Sequence, residues 1–318
     1  MICPPRAYVN PRAVRMYNGA TAGRNMNRVA VLGLGIIGGG IARNLLHKGF
    51  SVVVWNRTPA RAEPFRALGA EAAASPAAAA SGADVVIDAV TDVDASRTVW
   101  TGEQGALAAM TPGAAAVECA TLSVNWIREL NGLAAGRGTP FIDCPVTGGR
   151  EGAEKGTLTL LIGAEEEALE RIRPVLEAFS ARLFRFGPPG KGTAYKLINN
   201  LMLAAQILVT GEGIAFAESC GLDLSLATEA IQAGAMASPI VRTKLPLILK
   251  RDFSDTNFAL RWMLKDLRYG LEYAAEQGLR LPAAERICEL FAEADARGWG
   301  GQDYAVVAEL SRPPREGV

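Results

Sequence analysis

Arg28-Val29-Ala30-Val31-Leu32-Gly33-Leu34-Gly35-Ile36-Ile37-Gly38 is the stretch that decides the fold. It opens as a short apolar run of the kind buried in a parallel sheet, and its glycines then follow the spacing GxGxxG. An amphipathic helical pattern over 41–48 comes next. In a strand–turn–helix setting each glycine has its own reason to be there. Gly33 permits the tight turn, Gly35 lets the backbone approach a pyrophosphate, and Gly38 lets helix and strand pack closely. Around Ile36 and Ile37 the helix start offers free N–H groups and the positive end of its dipole to phosphate. The stretch reads as a dinucleotide-binding turn.

Working outward, a second apolar run, Val52-Val53-Val54-Trp55, follows the break at Gly49-Phe50. An NAD site usually places an acid at its end, about twenty residues beyond the turn, to bind the ribose 2′-hydroxyl. Here the sequence has Asn56, Arg57 and Thr58, with Arg61 a turn later. Two guanidinium groups and no carboxylate suit a 2′-phosphate, which favours NADP(H), with NAD(H) the alternative. Further strand-like runs occur at Val85-Val86-Ile87, Ala115-Ala116-Val117 and Phe141-Ile142-Asp143. Helical segments at 72–80 and 124–135 separate them, and 158–162 and 183–186 extend the sheet. Such alternation predicts an α/β fold, a doubly wound parallel sheet of Rossmann type.

The pattern changes at Gly187-Pro188-Pro189-Gly190, a hinge-like break. A long helix is predicted over 193–219, spanning on the order of 40 Å. Lys196, Asn199, Asn200, Gln206 and Glu212 interrupt its apolar character, which argues against a membrane span. More helices are expected at 224–233, 238–249, 257–277 and 283–297. The expected organisation is therefore a disordered extension 1–27, a cofactor-binding domain 28–190, an all-helical C-terminal domain 191–310 and a tail 311–318. The extension holds four arginines, no acid and no serine, with no apolar run to make a secretory signal.

Lys plus Arg and Asp plus Glu both number 33, so no global field exists to hold nucleic acid or an anionic membrane. The five cysteines, Cys3, Cys119, Cys144, Cys220 and Cys288, form no CxxC pair. Neither a metal site nor a disulfide framework is indicated, and a reducing cytoplasm fits best. The single histidine, His47, ends the first helix, where a role at the dipole's negative end is expected rather than catalysis. No tyrosine is followed four residues later by lysine, so a Tyr-xxx-Lys dyad is missing. Lys196 and Asn200 remain: four apart on a helix, they share a face just beyond the hinge, where an interdomain cleft is expected. Burial can bring a lysine from about 10.4 into working range as a proton donor. On spacing alone the pair also fits a surface lysine and a capping asparagine.

Three stretches together resemble the β-hydroxyacid dehydrogenase family, which includes 3-hydroxyisobutyrate dehydrogenase, tartronate semialdehyde reductase and glyoxylate/succinic semialdehyde reductases. Gly33 to Gly38 is similar to the family's GLGxMG, with Ile37 in place of Met. Asp143-Cys144-Pro145-Val146-Thr147-Gly148-Gly149-Arg150-Glu151-Gly152-Ala153, followed by Gly156-Thr157-Leu158, resembles DxPVSGGxxGAxxGTL, with Thr147 replacing Ser. Gly190-Lys191-Gly192-Thr193-Ala194-Tyr195-Lys196-Leu197-Ile198-Asn199-Asn200 matches GxGxxxKxxNN, and Lys265-Asp266-Leu267 is similar to a C-terminal KDL segment. The resemblance covers about 28–310.

It implies that Lys196 is the general acid–base and Asn200 its partner in orienting substrate. Thr147, Gly148 and Gly149 would bind a substrate carboxylate through a hydroxyl and backbone N–H groups, and Lys265 would help close the site over cofactor or substrate. Val90, Thr91 and Thr121 would line the nicotinamide side. Trp262, Phe258, Met236 and Ile240 are candidate pocket walls. The expected activity is hydride transfer between nicotinamide and a small carboxylate-bearing aldehyde or hydroxy acid, in a homodimer or homotetramer. An imine reductase is the enzymatic alternative, which Lys196 disfavours; a non-catalytic cofactor-binding homologue is the other.

Overall fold

The computed structural model describes residues 27–313, so the expected extension before Asn27 and the tail beyond Pro313 lie outside the described residues. Nine strands form one sheet: β1 Arg28–Leu32, β2 Ser51–Trp55, β3 Glu71–Ala72, β4 Val85–Asp88, β5 Ala115–Glu118, β6 Phe141–Asp143, β7 Val146–Thr147, β8 Leu158–Gly163 and β9 Ser180–Gly187. Their order is β3-β2-β1-β4-β5-β6-β8-β7, with β9 also on β8. The pairs from β3 through to β6 are parallel, while β8 meets β6 and β7 antiparallel. Chain order reverses at β1, which lies between β2 and β4, and that switch point opens a crevice at the strands' carboxyl ends. The fold is the doubly wound α/β sheet expected, followed by a helical region.

The sheet strands are apolar on both faces because both faces are covered. Val29, Val31, Val52, Val54, Val85 and Ile87 enter one core with Ile41 and Leu45 of helix Ile36–His47. Ala30, Leu32, Val53, Val86 and Ala116 enter the other with Trp100, Trp126 and Ile127. Each fully buried large aliphatic contributes about 1.5–3 kcal/mol. A third core belongs to the helical region. There the long helix Lys191–Ser219 buries Ala204, Ile207, Leu208 and Ile214 against Leu245, Ile248, Met263, Leu267 and Phe291. By length and composition this helix is apolar enough to cross a membrane, but here it is the core helix of that region.

Local chemistry moved several boundaries. The first helix starts at Ile36, directly from the glycine turn, rather than at 41. Within 72–80, Ala72 belongs to β3, paired with β2, and the helix is only Pro76–Ala80, begun by proline and capped by Ser75 Oγ accepting from Ala78 N–H (3.1 Å). Helix Leu260–Glu276 starts later than 257, because Asn257 and Phe258 belong to a preceding loop. Packing continues past 310: Arg312 is buried, with its guanidinium on Glu218 (2.7 Å) and on the carbonyl of Ile248 (2.6 Å).

Buried carboxyls mark the strand ends. Asp88 and Glu118 are register partners on β4 and β5, and both are fully buried. Glu118 accepts from Ser96 Oγ (2.7 Å), Trp100 Nε1 (2.9 Å) and the Ala120 N–H (2.9 Å). No such donor meets either oxygen of Asp88. Burial, then the adjacent Glu118 charge, raises the Asp88 pKa well above the usual carboxylate range, which favours its neutral form.

Candidate active site

The glycine turn lies at the switch point. Gly33 has φ +91°, and a Cβ there would stand 2.8 Å from the Ala89 carbonyl and 3.3 Å from Val90 Cγ1. A Cβ on Gly38 would be 1.9 Å from the Gly33 carbonyl, so helix and turn touch through bare backbone. At Gly35, by contrast, a Cβ would meet nothing within 4 Å. The helix beginning at Ile36 has no side-chain cap and no acid in its first turn. A cramped turn with one open glycine at an uncapped helix start suits a pyrophosphate.

Asn56 performs a different task from its neighbours. Its Oδ1 accepts from Leu34 N–H (2.9 Å) and its Nδ2 donates to the Thr58 carbonyl (3.0 Å). The carboxamide thus braces the turn from β2, engaged at both ends. Arg57, Thr58 and Arg61 are exposed at the end of β2, and neither arginine has an ion-pair partner among the described residues. Val90 stands against Gly33, while Thr91 is exposed and donates to Asp92 Oδ2 (2.8 Å).

The long helix is fixed to the sheet by Asp143, at the end of β6. Its Oδ2 accepts from the N–H groups of Gly190 and Thr193 (both 2.9 Å), and its Oδ1 from Thr193 Oγ1 (2.6 Å). Burial pushes Asp143 up to about 6 against the pull of these bonds. A Cβ on Gly192 would be 2.3 Å from the Leu161 carbonyl, so only glycine lets the helix start this close to β8. Lys196 follows one turn later, half-buried, and Asn200 one turn beyond that, buried.

Around them a polar cluster joins the two halves. Asn200 Nδ2 donates to Asp266 Oδ2 (2.6 Å), and Asn199 Nδ2 donates to Asn200 Oδ1 (3.1 Å). Lys265 Nζ donates to Asp266 Oδ1 (2.8 Å) and, across the seam, to the Thr121 carbonyl. Burial lowers Lys196 to about 8; Asp266 works against that shift and Lys265 adds to it. Lys196 itself makes no hydrogen bond or ion pair among the described residues.

Thr147 ends β7, opposite Thr159 of β8, and Gly148 (φ +127°) and Gly149 (φ +60°) carry the chain on in conformations that favour glycine. The loop at 252–258 reaches this turn: Asn257 Oδ1 accepts from Arg150 N–H (2.9 Å), and Arg150 pairs with Asp255 (2.9 Å). Of the candidate pocket walls, Phe258 and Ile240 pack against the third core and Met236 is 60% exposed. Three contributors escaped the sequence reading. Asp143 and Asp266 both lay inside quoted motifs, whereas Asn257 carried no signal.

Two family models cover the described chain. Residues 28–187 match the NAD binding domain of 6-phosphogluconate dehydrogenase, and 190–311 match the NAD-binding domain of NADP-dependent 3-hydroxyisobutyrate dehydrogenase. The NAD-dependent L-serine dehydrogenase of Pseudomonas aeruginosa is 32% identical over 295 residues, covering 91% of this chain and 99% of that protein. The chain belongs to the β-hydroxyacid dehydrogenase family. Glyoxylate/succinic semialdehyde reductase 1 of Arabidopsis thaliana is 30% identical over 91% of this chain and 99% of its own. Among solved structures, 3-hydroxyisobutyrate dehydrogenase of Mycobacterium tuberculosis with L-serine aligns with a TM-score of 0.82 at 30% identity, over 91% of this chain and 100% of that one. As a β-hydroxyacid dehydrogenase the chain is an NAD(P)-dependent oxidoreductase acting on a CH–OH group.

Proposed function

We propose that this enzyme reduces a small aldehyde bearing a carboxylate, with NADPH as the preferred cofactor and Lys196 as the proton donor. The observation that carries the reading is Lys196 itself. It is a lysine held near 8 by burial, free of any ion pair among the described residues, one turn from an Asn200 hydrogen-bonded to Asp266. A bound nicotinamide supplies the hydride. Lys196 delivers the proton to the carbonyl oxygen, and Asn200, held by its hydrogen bond to Asp266, orients that oxygen. In the oxidative direction Lys196, deprotonated, takes the hydroxyl proton.

Thr147 Oγ1 and the N–H groups of Gly148 and Gly149 hold the carboxylate, and Lys265 closes the seam over the site from the helical side. Gly33, Gly35 and Gly38, with the N–H groups around Ile36 and Ile37, would hold the pyrophosphate of a bound cofactor, while Val90, Thr91 and Thr121 would line its nicotinamide side. The 2′-phosphate falls to Arg57, Thr58 and Arg61, since Asn56 is engaged in the turn. The relatives named for serine and for glyoxylate and succinic semialdehyde support a small acid as substrate. Four described cysteines are free thiols, which suits a reducing compartment such as the cytoplasm. The apolar stripe on the long helix supports assembly into a homodimer or homotetramer.

The test is oxidation of NADPH and NADH against glyoxylate, succinic semialdehyde, tartronate semialdehyde, methylmalonate semialdehyde and a cyclic imine, with L-serine plus NADP or NAD in the reverse direction. Turnover of an acid-aldehyde, faster with NADPH, is expected. Activity on the imine alone would assign the chain to imine reduction, and cofactor binding without any turnover would make it a non-catalytic homologue.

A further inference from the structure

We propose that Asn257 is a specificity-determining residue that donates a hydrogen bond from its carboxamide to the substrate carboxylate; this rests on the assignment of that carboxylate to Thr147, Gly148 and Gly149. The carboxamide lies directly over the glycine turn. Its Nδ2 is 2.9 Å, and its Oδ1 3.1 Å, from the point a Cβ on Gly149 would occupy. Oδ1 accepts from Arg150 N–H (2.9 Å), which removes that backbone donor from the turn. Nδ2 has no acceptor among the described residues, so it takes the place of the donor that Oδ1 consumes. One amide thereby presents an N–H2 group from the helical region to a site otherwise built by the sheet region.

The loop carrying Asn257 is anchored well enough to hold such a group in place. Asp303 is fully buried and paired with buried Lys244 (2.7 Å). Its Oδ2 also accepts from the Asn257 N–H (3.3 Å). Thr256 Oγ1 donates to the Gly301 carbonyl (3.1 Å), and the Arg150 guanidinium clasps Asp255 (2.9 Å) and the Thr256 carbonyl (2.9 Å) from the other side. Asn257 is exposed, so its side chain can be changed without opening a cavity.

Two substitutions separate a donor from a mere latch. Asn257→Ala removes both functions. Asn257→Asp keeps an oxygen for the Arg150 N–H but turns a second oxygen, and a negative charge, on the substrate carboxylate. The experiment is steady-state reduction of succinic semialdehyde by NADPH, with NADPH affinity measured separately by fluorescence. KM for the aldehyde is expected to rise about tenfold in Asn257→Ala and about a hundredfold in Asn257→Asp. In both variants kcat and NADPH affinity should stay near wild type. A wild-type KM in Asn257→Asp, or equal rises in both variants, overturns the assignment, because either result is what a latch predicts. Thr147→Ala and Lys196→Ala run alongside. If they impair turnover while Asn257→Asp does not raise KM, only Asn257 is wrong. If they leave turnover intact, the carboxylate site and the proton donor fall, and Asn257 falls with them.

Discussion

Burial holds Lys196 near 8, and in the proposed mechanism its proton is the one a reduction consumes. kcat/KM for aldehyde reduction should therefore be level below about pH 8 and fall tenfold per unit above it, while alcohol oxidation rises through the same range. A pH profile in both directions checks this. Arg57→Ala should raise KM for NADPH by about tenfold or more and leave NADH little changed, which initial rates with the two cofactors will measure. Helical spacing puts Lys196 and Asn200 on one face, but spacing alone does not single them out; their place in the GxGxxxKxxNN match does. Asp266 meets Asn200 across 66 positions, and no local pattern reports such a contact. Asn56 was read as a cofactor ligand from its position at the end of β2. That position says where a residue lies but not which backbone groups claim its amide.

At the scale of elements, the long helix depends on a strand-end carboxylate. Asp143→Ala would leave the Gly190 and Thr193 donors without a partner and cost about 2–4 kcal/mol, read as a lower urea midpoint, with Asp143→Asn losing less. The β4–β5 carboxyl pair adds a pH term. The folded-state pKa of Asp88 lies above its ordinary 3.8, so the folded chain holds a proton that the unfolded chain releases, and this stabilisation is lost as pH rises through the raised value. Asp88→Asn should accordingly melt higher than wild type at pH 8, with the difference vanishing towards pH 4 in thermal scans. The strands of the first half were readable because a sheet covered on both faces needs unbroken apolar runs. Helices Val93–Thr101 and Glu166–Glu177 were not anticipated, although the second buries Leu169, Ile172, Val175 and Leu176 at helical spacing. Its six charged residues drew attention to the solvated face instead.

Over the whole molecule, the sheet and helical regions meet where Lys265 crosses to Thr121 and Asn257 crosses to Arg150. The GxGxxG turn follows β1, Thr147-Gly148-Gly149 closes β7 and Lys196 lies on the long helix, with more than 150 residues of chain between the first and the last. Sequence reading could assign each to its element; their arrangement follows from the order of strands and from Asp143 holding the helix. One surface is left uncovered: Ile198, Met202, Val209 and Phe216 are 54–72% exposed along the long helix, and helix Leu224–Ala233 buries none of its residues. A second copy would cover that stripe, so light scattering should give at least a dimer mass, and Val209→Glu combined with Phe216→Glu should shift it towards monomer. Proton delivery by Lys196 at the seam can be measured by single-turnover NADPH oxidation with succinic semialdehyde in wild type and Lys196→Ala. The rate should be lower by about 10² or more in the variant, with NADPH affinity and melting temperature unchanged. A variant that turns over at the wild-type rate would contradict it.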